Sequence, residues 1–403
     1  MPAQLPPPQP PTVARLFFAA LRLGLTSFGG PIAHLGFFRE EFVARRRWLD
    51  DPVYADLVAL CQSLPGPASS QVIFGIGLAC RGIWGGLACW LGFTLPSAII
   101  MTACGYGAAH LGGLAHAGWL AGLKIAAVAV VANALWAMGI QLCPDRSRLT
   151  LALFAAVIIL LKPTPYMPLI VIAGGALLGW ARYRRIRTPT NPAPLPFTLS
   201  HARGAAALLL FFLLLLILPL AASWTHLRGL DYFSAFYRTG ALVFGGGHVV
   251  LPLLQSQVVS HGWVDDGRFV AGYGIAQALP GPLFSFAAYL GAVAKDAPNG
   301  WQGAIICLLG IYLSPLLLLA GAIPIWETVR RTRSAQAALR GANAAVTGIL
   351  LAALYNPLWQ TSIHNGNDLA LALAAFAMLM VWKFPGWLIV ILAAGAGQLW
   401  LGS

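Results

Sequence analysis

Two Pro-Gly-Pro runs interrupt a chain in which 59% of the residues are hydrophobic. The first lies in QSLPGPASSQ at positions 62–71, and the second lies in QALPGPLFSF at positions 277–286. Proline and glycine break helices, and a helix that restarts after the break presents unpaired backbone N–H groups and the positive end of its dipole. Such a helix start binds anions. A kink or a surface loop is the alternative, but neither explains why the same pattern occurs twice.

A second type of break precedes each of these runs. FGG at positions 28–30 is followed by Pro31, and FGGG at positions 244–247 is followed by His248. Proline favours the first turn of a helix. Three prolines are expected to lie at such a position: Pro31, Pro67 and Pro282.

Two arginines interrupt apolar segments six residues before the phenylalanine of each glycine-rich break. They are Arg22 in FFAALRLGLTSFGG and Arg238 in FSAFYRTGALVFGGG. An arginine inside a membrane span is costly and usually functional, and the alternative is that its long side chain reaches an interface. If both side chains point inward, two positive charges face the helix starts. That arrangement suits a dianion with several oxygen acceptors.

The candidate substrate-binding residues are the members of these breaks, the two arginines and nearby polar side chains. They are Arg22, Gly29, Gly30, Pro31, Gln62, Pro65, Gly66, Pro67, Ser69, Ser70, Arg238, Gly245, Gly246, Gly247, His248, Gln277, Pro280, Gly281 and Pro282. Ser285 is a further neutral hydrogen-bonding group. His248 is the best titratable candidate, although the equivalent Ile32 is apolar and a packing role is the simpler interpretation. The sequence predicts no catalytic group, no metal site and no cofactor.

Composition places these residues in an all-α, polytopic membrane protein. Mean hydropathy is +0.76 and 9% of the residues are charged, whereas soluble proteins carry roughly a quarter. Five apolar stretches are long enough to span a bilayer: Ile83–Cys104, Ile125–Gln141, Gly204–Ser223, Trp301–Trp326 and Leu369–Trp382. Arginine-rich cytoplasmic loops explain the net charge of +13, so the lipid bilayer and not nucleic acid is the expected partner. The six cysteines show no CxxC spacing and are interpreted as packing residues.

One unit occurs twice along the chain. FGG, WLDD and QSLPGP recur in the same order as FGG, WVDD and QALPGP, at positions 28 and 244, 48 and 263, and 62 and 277. Arginines lie between FGG and WLDD in the first copy, and none lies between FGG and WVDD in the second. Further along, the second copy carries the arginines and the first has none. Equivalent loops are therefore predicted on opposite membrane faces. Inverted repeats are typical of secondary transporters, whose substrate site lies near the bilayer midplane between the halves.

The predicted organisation follows from this inversion. It consists of a first repeat at 1–181, a basic cytoplasmic linker at 182–203, an unmatched transmembrane helix and loop at 204–231, and a second repeat at 232–403. The broken segments are predicted to be interrupted or re-entrant helices that meet at the midplane. The N-terminus and the Arg39–Arg47 and Arg330–Arg340 loops are predicted to be cytoplasmic, and the Gln255–Asp266 loop periplasmic.

These motifs resemble those of the chromate transporter family in its long two-domain form. The matching stretches are GLTSFGGPIAHLGFFREEFV, WLDD and QSLPGPASSQ in the first half, and FGGGHVVLPLL, WVDD and QALPGPLFSFAAYLGA in the second. The second copy departs by having Gly247 where the first has Pro31. The resemblance implies a multi-pass protein of the bacterial inner membrane that exports chromate, with sulfate as a close mimic, driven by the ion gradient.

Other functions fit the sequence less well. No GxxxxGK[ST] loop for an ATP-driven pump occurs, and the histidines are scattered, so an enzyme is not expected. Acidic residues avoid the centres of the spans, which disfavours a cation carrier, and Asp50-Asp51 and Asp265-Asp266 are interpreted as N-caps before helices. A sulfate or other oxyanion importer and an anion channel on the same scaffold are the alternatives. The sequence does not determine the transport direction, the coupling ion or the oligomeric state, and it is compatible with a homo-oligomer.

Overall fold

The computed structural model describes residues 11–28, 30–110, 118–162, 164, 167–184, 199–243, 250–326 and 332–400. Within these ranges all regular structure is helical, and several helices are apolar enough to cross a membrane. The predicted all-α, polytopic class is therefore confirmed. A helix suits this environment because it satisfies its backbone N–H and C=O groups within one segment.

The helices of the first half are α1 (Val13–Thr26), α2 (Gly30–Phe38), α3 (Asp51–Ser63), α4 (Ala68–His110), α5 (Gly118–Leu142), α6 (Arg146–Leu161) and α7 (Met167–Tyr183). Helix α8 (His201–Thr225) follows. The helices of the second half are α9 (Arg228–Leu242), α10 (Val250–Val258), α11 (Asp266–Ala278), α12 (Phe286–Ala292), α13 (Gly300–Ala322), α14 (Arg333–Ala353), α15 (Gly366–Met380) and α16 (Gly386–Trp400). A π-helical segment, Arg39–Arg45, continues α2, and a short 3₁₀ turn, Leu283–Ser285, leads into α12.

In the described part of the chain, five helical segments are long and apolar enough to cross a membrane. They are Ala68–Ala108, Ala121–Ile140, His201–Thr225, Gly300–Ile325 and Arg333–Ser362. The second, third and fourth coincide with predicted spans. The first bends sharply at Arg81 and Gly82, whose backbone angles are not helical, and the predicted span Ile83–Cys104 is its second part. The predicted span Leu369–Trp382 falls instead on α15, whose 15 residues reach about 22 Å and do not cross the hydrocarbon core alone. The sequence prediction misses Arg333–Ser362, because this alanine-rich helix lacks a long leucine run and contains Arg340.

The helix breaks lie where the glycines and prolines predict them. The chain leaves α1 after Thr26 and starts α2 at Gly30, and Pro31 lies in the first turn of α2 as predicted. The expectation is wrong by one position for Pro67 and Pro282, which precede their helices. Pro282 is the extended N-cap of its 3₁₀ turn (ψ 132°), and the carbonyl of Pro67 accepts the first α4 hydrogen bond. In each Pro-Gly-Pro turn, one proline separates the glycine with positive φ from the helical segment that follows.

The aspartate pairs are N-caps by position only. Asp50 and Asp265 directly precede α3 and α11, but neither side chain makes a capping hydrogen bond. Asp51 pairs instead with Arg39 (2.7 Å) and Asp265 with Lys295 (2.6 Å). The hydrogen bond from the Arg39 guanidinium lowers the pKa of the Asp51 carboxyl below its usual range. A proton carrier that works near neutral pH needs the opposite shift.

Equivalent glycines hold the first helix of each half against a later helix. A Cβ added to Gly24 in α1 would lie 2.5 Å from the carbonyl oxygen of Phe93 in α4. One added to Gly240 in α9 would overlap the carbonyl oxygen of Ile311 in α13. Gly24 and Gly240 stand in the same relation as the two FGG motifs, so the two halves repeat one close helix packing. Small residues permit such approach between helices in a membrane.

The later helices are exchanged between the halves. Helix α14 of the second half packs on α6 and α7 of the first half, with Gly341 against Gly175 and Gly179. Helices α15 and α16 pack on α5 of the first half, with Gly397 against Gly122. Each half therefore completes the packing of the other.

The predicted linker lies largely outside the described residues. Helix α7 ends at Tyr183 and α8 begins at His201, which is inside the predicted linker at 182–203. The domain boundaries stay a prediction. Only 17% of the most apolar stretch of α8 is buried inside the protein. Most of its leucine and phenylalanine side chains are therefore available to lipid.

Each Pro-Gly-Pro turn is hydrogen-bonded to the helix break of the other half. The N–H of Gly66 donates to the carbonyl of Val243 (2.6 Å), directly before the second glycine-rich break. The N–H of Gly281 donates to the carbonyl of Ser27 (3.0 Å), directly before the first. Gly66 and Gly281 are equivalent residues of the repeat, and so are Ser27 and Val243. Both glycines have positive φ, +125° and +92°, a conformation that other residues adopt only with strain.

We expect Gly281→Ala to destabilise the protein more than Gly262→Ala. Both glycines have positive φ, +92° and +72°, so alanine costs about 1–2 kcal/mol of backbone strain at either position. A Cβ at position 281 would also lie 3.0 Å from Ser97 Oγ and 3.2 Å from Gly24 O, whereas one at 262 meets nothing within 4 Å. Thermal unfolding of the purified variants in detergent measures the difference. Equal shifts in Tm would contradict a role of the Gly281 turn in joining the halves.

Candidate functional site

The carbonyl of Ser27 accepts two hydrogen bonds. One comes from the N–H of Gly281 (3.0 Å) and the other from Nε2 of His34 (3.1 Å). His34 is buried, and its ring lies against Phe38 and Phe93. Because a carbonyl oxygen only accepts, the proton is assigned to Nε2. His34 therefore fixes the end of α1 at the point where the second Pro-Gly-Pro turn docks, a role that the sequence analysis did not identify.

Gln71 fixes the first Pro-Gly-Pro turn in a comparable way. Its side chain is fully buried, and Nε2 donates to the carbonyls of Pro65 (2.9 Å) and Pro315 (3.2 Å). Since Pro315 belongs to α13, this amide ties the turn to the second half. The equivalent residue of the second copy is Phe286, whose side chain cannot donate a hydrogen bond. Comparison of the two repeats therefore does not identify Gln71 as a functional residue.

The predicted polar residues lie in different surroundings. Ser69 and Ser70 are buried in the first turn of α4. Gln277 is half-buried near the end of α11 beside Tyr273, and Gln62 is exposed near the end of α3. The described backbone positions lie at the breaks as expected: Gly30, Pro31, Pro65, Gly66, Pro67, Pro280, Gly281 and Pro282. Five predicted residues lie outside the described residues: Gly29, Gly245, Gly246, Gly247 and His248.

The two arginines occupy different environments. Arg22 is exposed on the face of α1 that also carries Phe18 and Leu25, which are 63% and 53% exposed. Arg238 is half-buried on α9, and its Nη2 donates to Oε1 of Gln257 (3.2 Å). The inward orientation fits Arg238, whereas the position of Arg22 is that of a side chain reaching toward an interface. Substrate binding by either arginine stays a prediction.

Four hydroxyl residues from both halves meet beside the Pro-Gly-Pro turns. We call Ser70, Thr94, Ser285 and Tyr312 the hydroxyl cluster. The phenol of Tyr312 lies near the other three hydroxyls without making a hydrogen bond to them, and Ser285 Oγ is 2.6 Å from Ser97 Oγ. The sequence analysis identified the two serines but not Thr94 and Tyr312, because one hydroxyl in an apolar helix has no local pattern.

The buried carboxylates of the described part lie at helix ends. Glu41, in the π-helical segment, accepts from Arg45 (2.9 Å) and Arg46 (2.6 Å). Asp368, in the first turn of α15, accepts from the backbone N–H of His364 (2.9 Å). Among the described residues no three His, Cys, Asp or Glu side chains are grouped as a metal would require. This distribution suits an anion better than a cation.

A pocket of about 190 Å³ opens between α6, α7, α10 and α14. Its polar lining is uncharged and consists of Thr164, Gln255, Ser256, Ser260 and Asn356. The pocket adjoins the Gln255–Asp266 loop, which is predicted to be periplasmic. It offers neutral hydrogen-bonding groups close to one of the predicted membrane faces.

Comparison with known proteins covers both halves of the chain. The sequence model of the family described as "Chromate transporter" matches residues 14–180 and 230–398. A chromate transport protein of Pseudomonas aeruginosa is 28% identical over 395 residues, which cover 96% of this chain and 92% of the relative. A chromate transport protein of Cupriavidus metallidurans is 25% identical over 377 residues, 92% of this chain and 89% of the relative. No solved structure matches the chain.

A shorter relative matches a single part of the chain. The uncharacterized transporter YwrB of Bacillus subtilis is 32% identical over 173 residues, which are 41% of this chain and 85% of its own length. The relatives are named as transport proteins, so the chain is a transporter and not an enzyme. Because the family model covers both broken-helix regions and most of the chain between the termini, this multi-pass membrane protein belongs to the chromate transporter family, as its motifs indicated.

Proposed function

We propose that this protein is a secondary transporter that exports chromate from the cytoplasm across the bacterial inner membrane, driven by an ion gradient. The observation that carries the proposal is the pair of Pro-Gly-Pro helix starts, each bonded to the opposite half through Gly66 and Gly281. Chromate as substrate comes from the names of the long relatives. Sulfate is expected to act as a mimic, because both ions are tetrahedral dianions near neutral pH.

The helix starts supply the binding chemistry in this proposal. Helix α4 begins at Ala68, and the 3₁₀ turn before α12 begins at Leu283. The start of α4 offers free N–H groups and about half a positive charge, whereas the short 3₁₀ turn contributes N–H groups only. Ser70 and Ser285 follow at equivalent positions, and both hydroxyls lie near the phenol of Tyr312. This shared neighbour supports convergence of the two starts on one ligand.

The two halves differ at one equivalent loop contact. In the first half, Arg39 and Asp51 form an ion pair (2.7 Å). At the equivalent place of the second half, Gln255 donates to Asp266 in a hydrogen bond without a cation (3.3 Å). In the proposed cycle these two loops face opposite sides of the membrane and open in turn around a fixed site. A sulfate or other oxyanion importer would use the same parts in the opposite direction, and an anion channel would need both sides open at once.

Flux through proteoliposomes tests this function directly. We expect labelled chromate to move against its own gradient when a pH gradient of one sign is imposed, without ATP. Unlabelled chromate or sulfate on the opposite side should accelerate the exchange of label, since a carrier returns faster when loaded. A channel gives no such acceleration. Transport of sulfate without chromate would support the importer alternative, and absence of flux for both ions would overturn the proposal.

Labelling of single cysteines tests the inverted topology. Ala44, Ser260 and Ser334 are exposed, and each lies in one of the loops whose side is predicted. In a variant without the six native cysteines, we expect Ala44→Cys and Ser334→Cys to react from the cytoplasmic side and Ser260→Cys from the periplasmic side. A membrane-impermeant maleimide applied to intact cells and to inverted vesicles measures the sides. Labelling of positions 44 and 260 from the same side would contradict the inversion.

The arginines are expected to match the charge of the dianion. Arg22→Gln or Arg238→Gln should weaken chromate binding at least tenfold, about 1.4 kcal/mol, with the half-buried Arg238 having the larger effect. Lysine at either position should recover part of the affinity, because it keeps the charge but loses the planar fork that holds two oxygens. Titration of purified protein with chromate measures the change.

A matched control separates binding from a general effect of charge. Arg15 is exposed on the same helix as Arg22, so Arg15→Gln should leave chromate affinity unchanged. Full recovery by lysine, together with poor membrane insertion of the glutamine variants, would indicate that the arginines only reach an interface. Unchanged affinity in both glutamine variants would exclude them from the site.

A further inference from the structure

The hydroxyl cluster contains buried polar atoms that the described part of the protein leaves without a hydrogen bond. Ser70, Thr94 and Tyr312 are at most 1% exposed, and none of their side-chain oxygens has a hydrogen-bond partner. The indole Nε1 of Trp90 also has no hydrogen-bond partner. The ring centroids of Trp90 and Tyr312 are 5.4 Å apart. Four unpartnered groups at one place, Tyr312 and three of its neighbours, call for a specific explanation.

Several other buried hydroxyls of the same bundle have backbone partners, although those of Ser27, Ser234 and Ser362 have none. Tyr237 donates to the carbonyl of Phe211 (3.0 Å), Ser314 to that of Tyr237 (2.9 Å) and Thr239 to that of Ala235 (2.9 Å). What distinguishes the hydroxyl cluster is that several unpartnered groups lie at one place. A buried hydroxyl without a partner loses its hydration and receives nothing in return. Retention of several such groups at one place points to a ligand.

The cluster consists of two equivalent pairs. Ser70 and Ser285 occupy the same position of the two Pro-Gly-Pro runs, 62–71 and 277–286. Thr94 and Tyr312 occupy the same position of the stretches GFTLPS and GIYLSP, the third residue in each. The phenol of Tyr312 is the common neighbour of the other three hydroxyls, but its geometry makes a hydrogen bond with none of them. Equivalent residues meet in this way only on the internal axis that relates the two halves, where a transporter built from repeats holds its substrate.

The chemistry of the groups selects the ligand. Indole N–H only donates, and hydroxyls can donate to any acceptor. The cluster itself contains no carboxylate, and its surroundings are aromatic, with Phe284 at 6.1 Å from Tyr312 between ring centroids. A cation would find no charged ligand in such a set, and an apolar molecule would leave the donors unpaired. A ligand with several oxygen acceptors distributed in three dimensions satisfies them.

We propose that the hydroxyl cluster, with Trp90, is the subsite that holds the transported tetrahedral oxyanion after it has lost its water. The inference rests on the proposed transport function and specifies the site within it. Neutral donors from both halves bind the oxygens, and the start of α4, which carries Ser70, supplies the positive potential. Thr94, Tyr312 and Trp90 are thereby binding residues.

Removal of single hydroxyl groups from the purified full-length protein tests the subsite. We expect Tyr312→Phe and Thr94→Val each to raise the Kd for chromate and for sulfate at least tenfold. The Tm of the ligand-free protein should stay the same or rise, because each change removes a buried group that has no partner. Tyr237→Phe is the matched control, since Tyr237 is equally buried but bonded to Phe211. It should lower the Tm and leave the Kd for chromate unchanged.

The outcomes separate this inference from the transport function. If the wild-type protein binds and carries chromate or sulfate but Tyr312→Phe and Thr94→Val bind it normally, the subsite is overturned while the transport function stands. If Tyr312→Phe lowers the Tm as Tyr237→Phe does and leaves the Kd unchanged, the hydroxyl has only a packing role. If the wild-type protein neither binds nor carries either ion, both proposals fail. Should Tyr312→Phe not fold, Ser70→Ala replaces it with the same expected loss of affinity.

Discussion

The centre of this protein depends on two backbone hydrogen bonds that the halves exchange. A chain that interrupts its helices at membrane depth exposes N–H and C=O groups that lipid cannot satisfy. Here the N–H of each Pro-Gly-Pro glycine reaches the last carbonyl before the opposite glycine-rich break, from Gly66 to Val243 and from Gly281 to Ser27. The break in one half is thus completed only by the break in the other. Side chains then reinforce the junction, His34 on one side and Gln71 on the other.

This constraint also determines where polar chemistry can exist in an apolar protein. Because glycine at positions 66 and 281 brings the turns against α13 and α4, the first residues after each turn lie beside the middle of a long helix. Ser70 and Ser285 are carried there, next to Thr94 and Tyr312. Hydroxyl groups in such a setting interact strongly with a ligand, since little water competes for them. The interruption of the helices and the polarity of the centre are therefore one feature.

The sequence predicts the parts of this structure that have a local signature. Long apolar runs predict most of the spans, and the Pro and Gly residues predict the breaks on either side of Gly66 and Gly281. Features that arise from pairing of distant segments are missed: the contact of His34 with Ser27, that of Gln71 with Pro315, and the meeting of Thr94 with Tyr312. Asp50 illustrates the reverse case, because its position predicts an N-cap that the side chain does not make. Local rules fix the position of a residue along the chain but not the partner that competes for its side chain.

The backbone contacts of the repeat are duplicated at the centre of the protein, whereas several side chains, such as Gln71 and its equivalent Phe286, differ between the halves. Glycine contacts and turn hydrogen bonds are duplicated, whereas Arg22 is exposed and its equivalent Arg238 is half-buried and bonded to Gln257. Part of the cause is α8, which packs on α9 through Phe211 and Tyr237. A substrate site on the internal axis needs equal halves around it, since it must serve both sides of the membrane. The outer surfaces meet different loops and lipid, so selection there does not require the halves to stay alike.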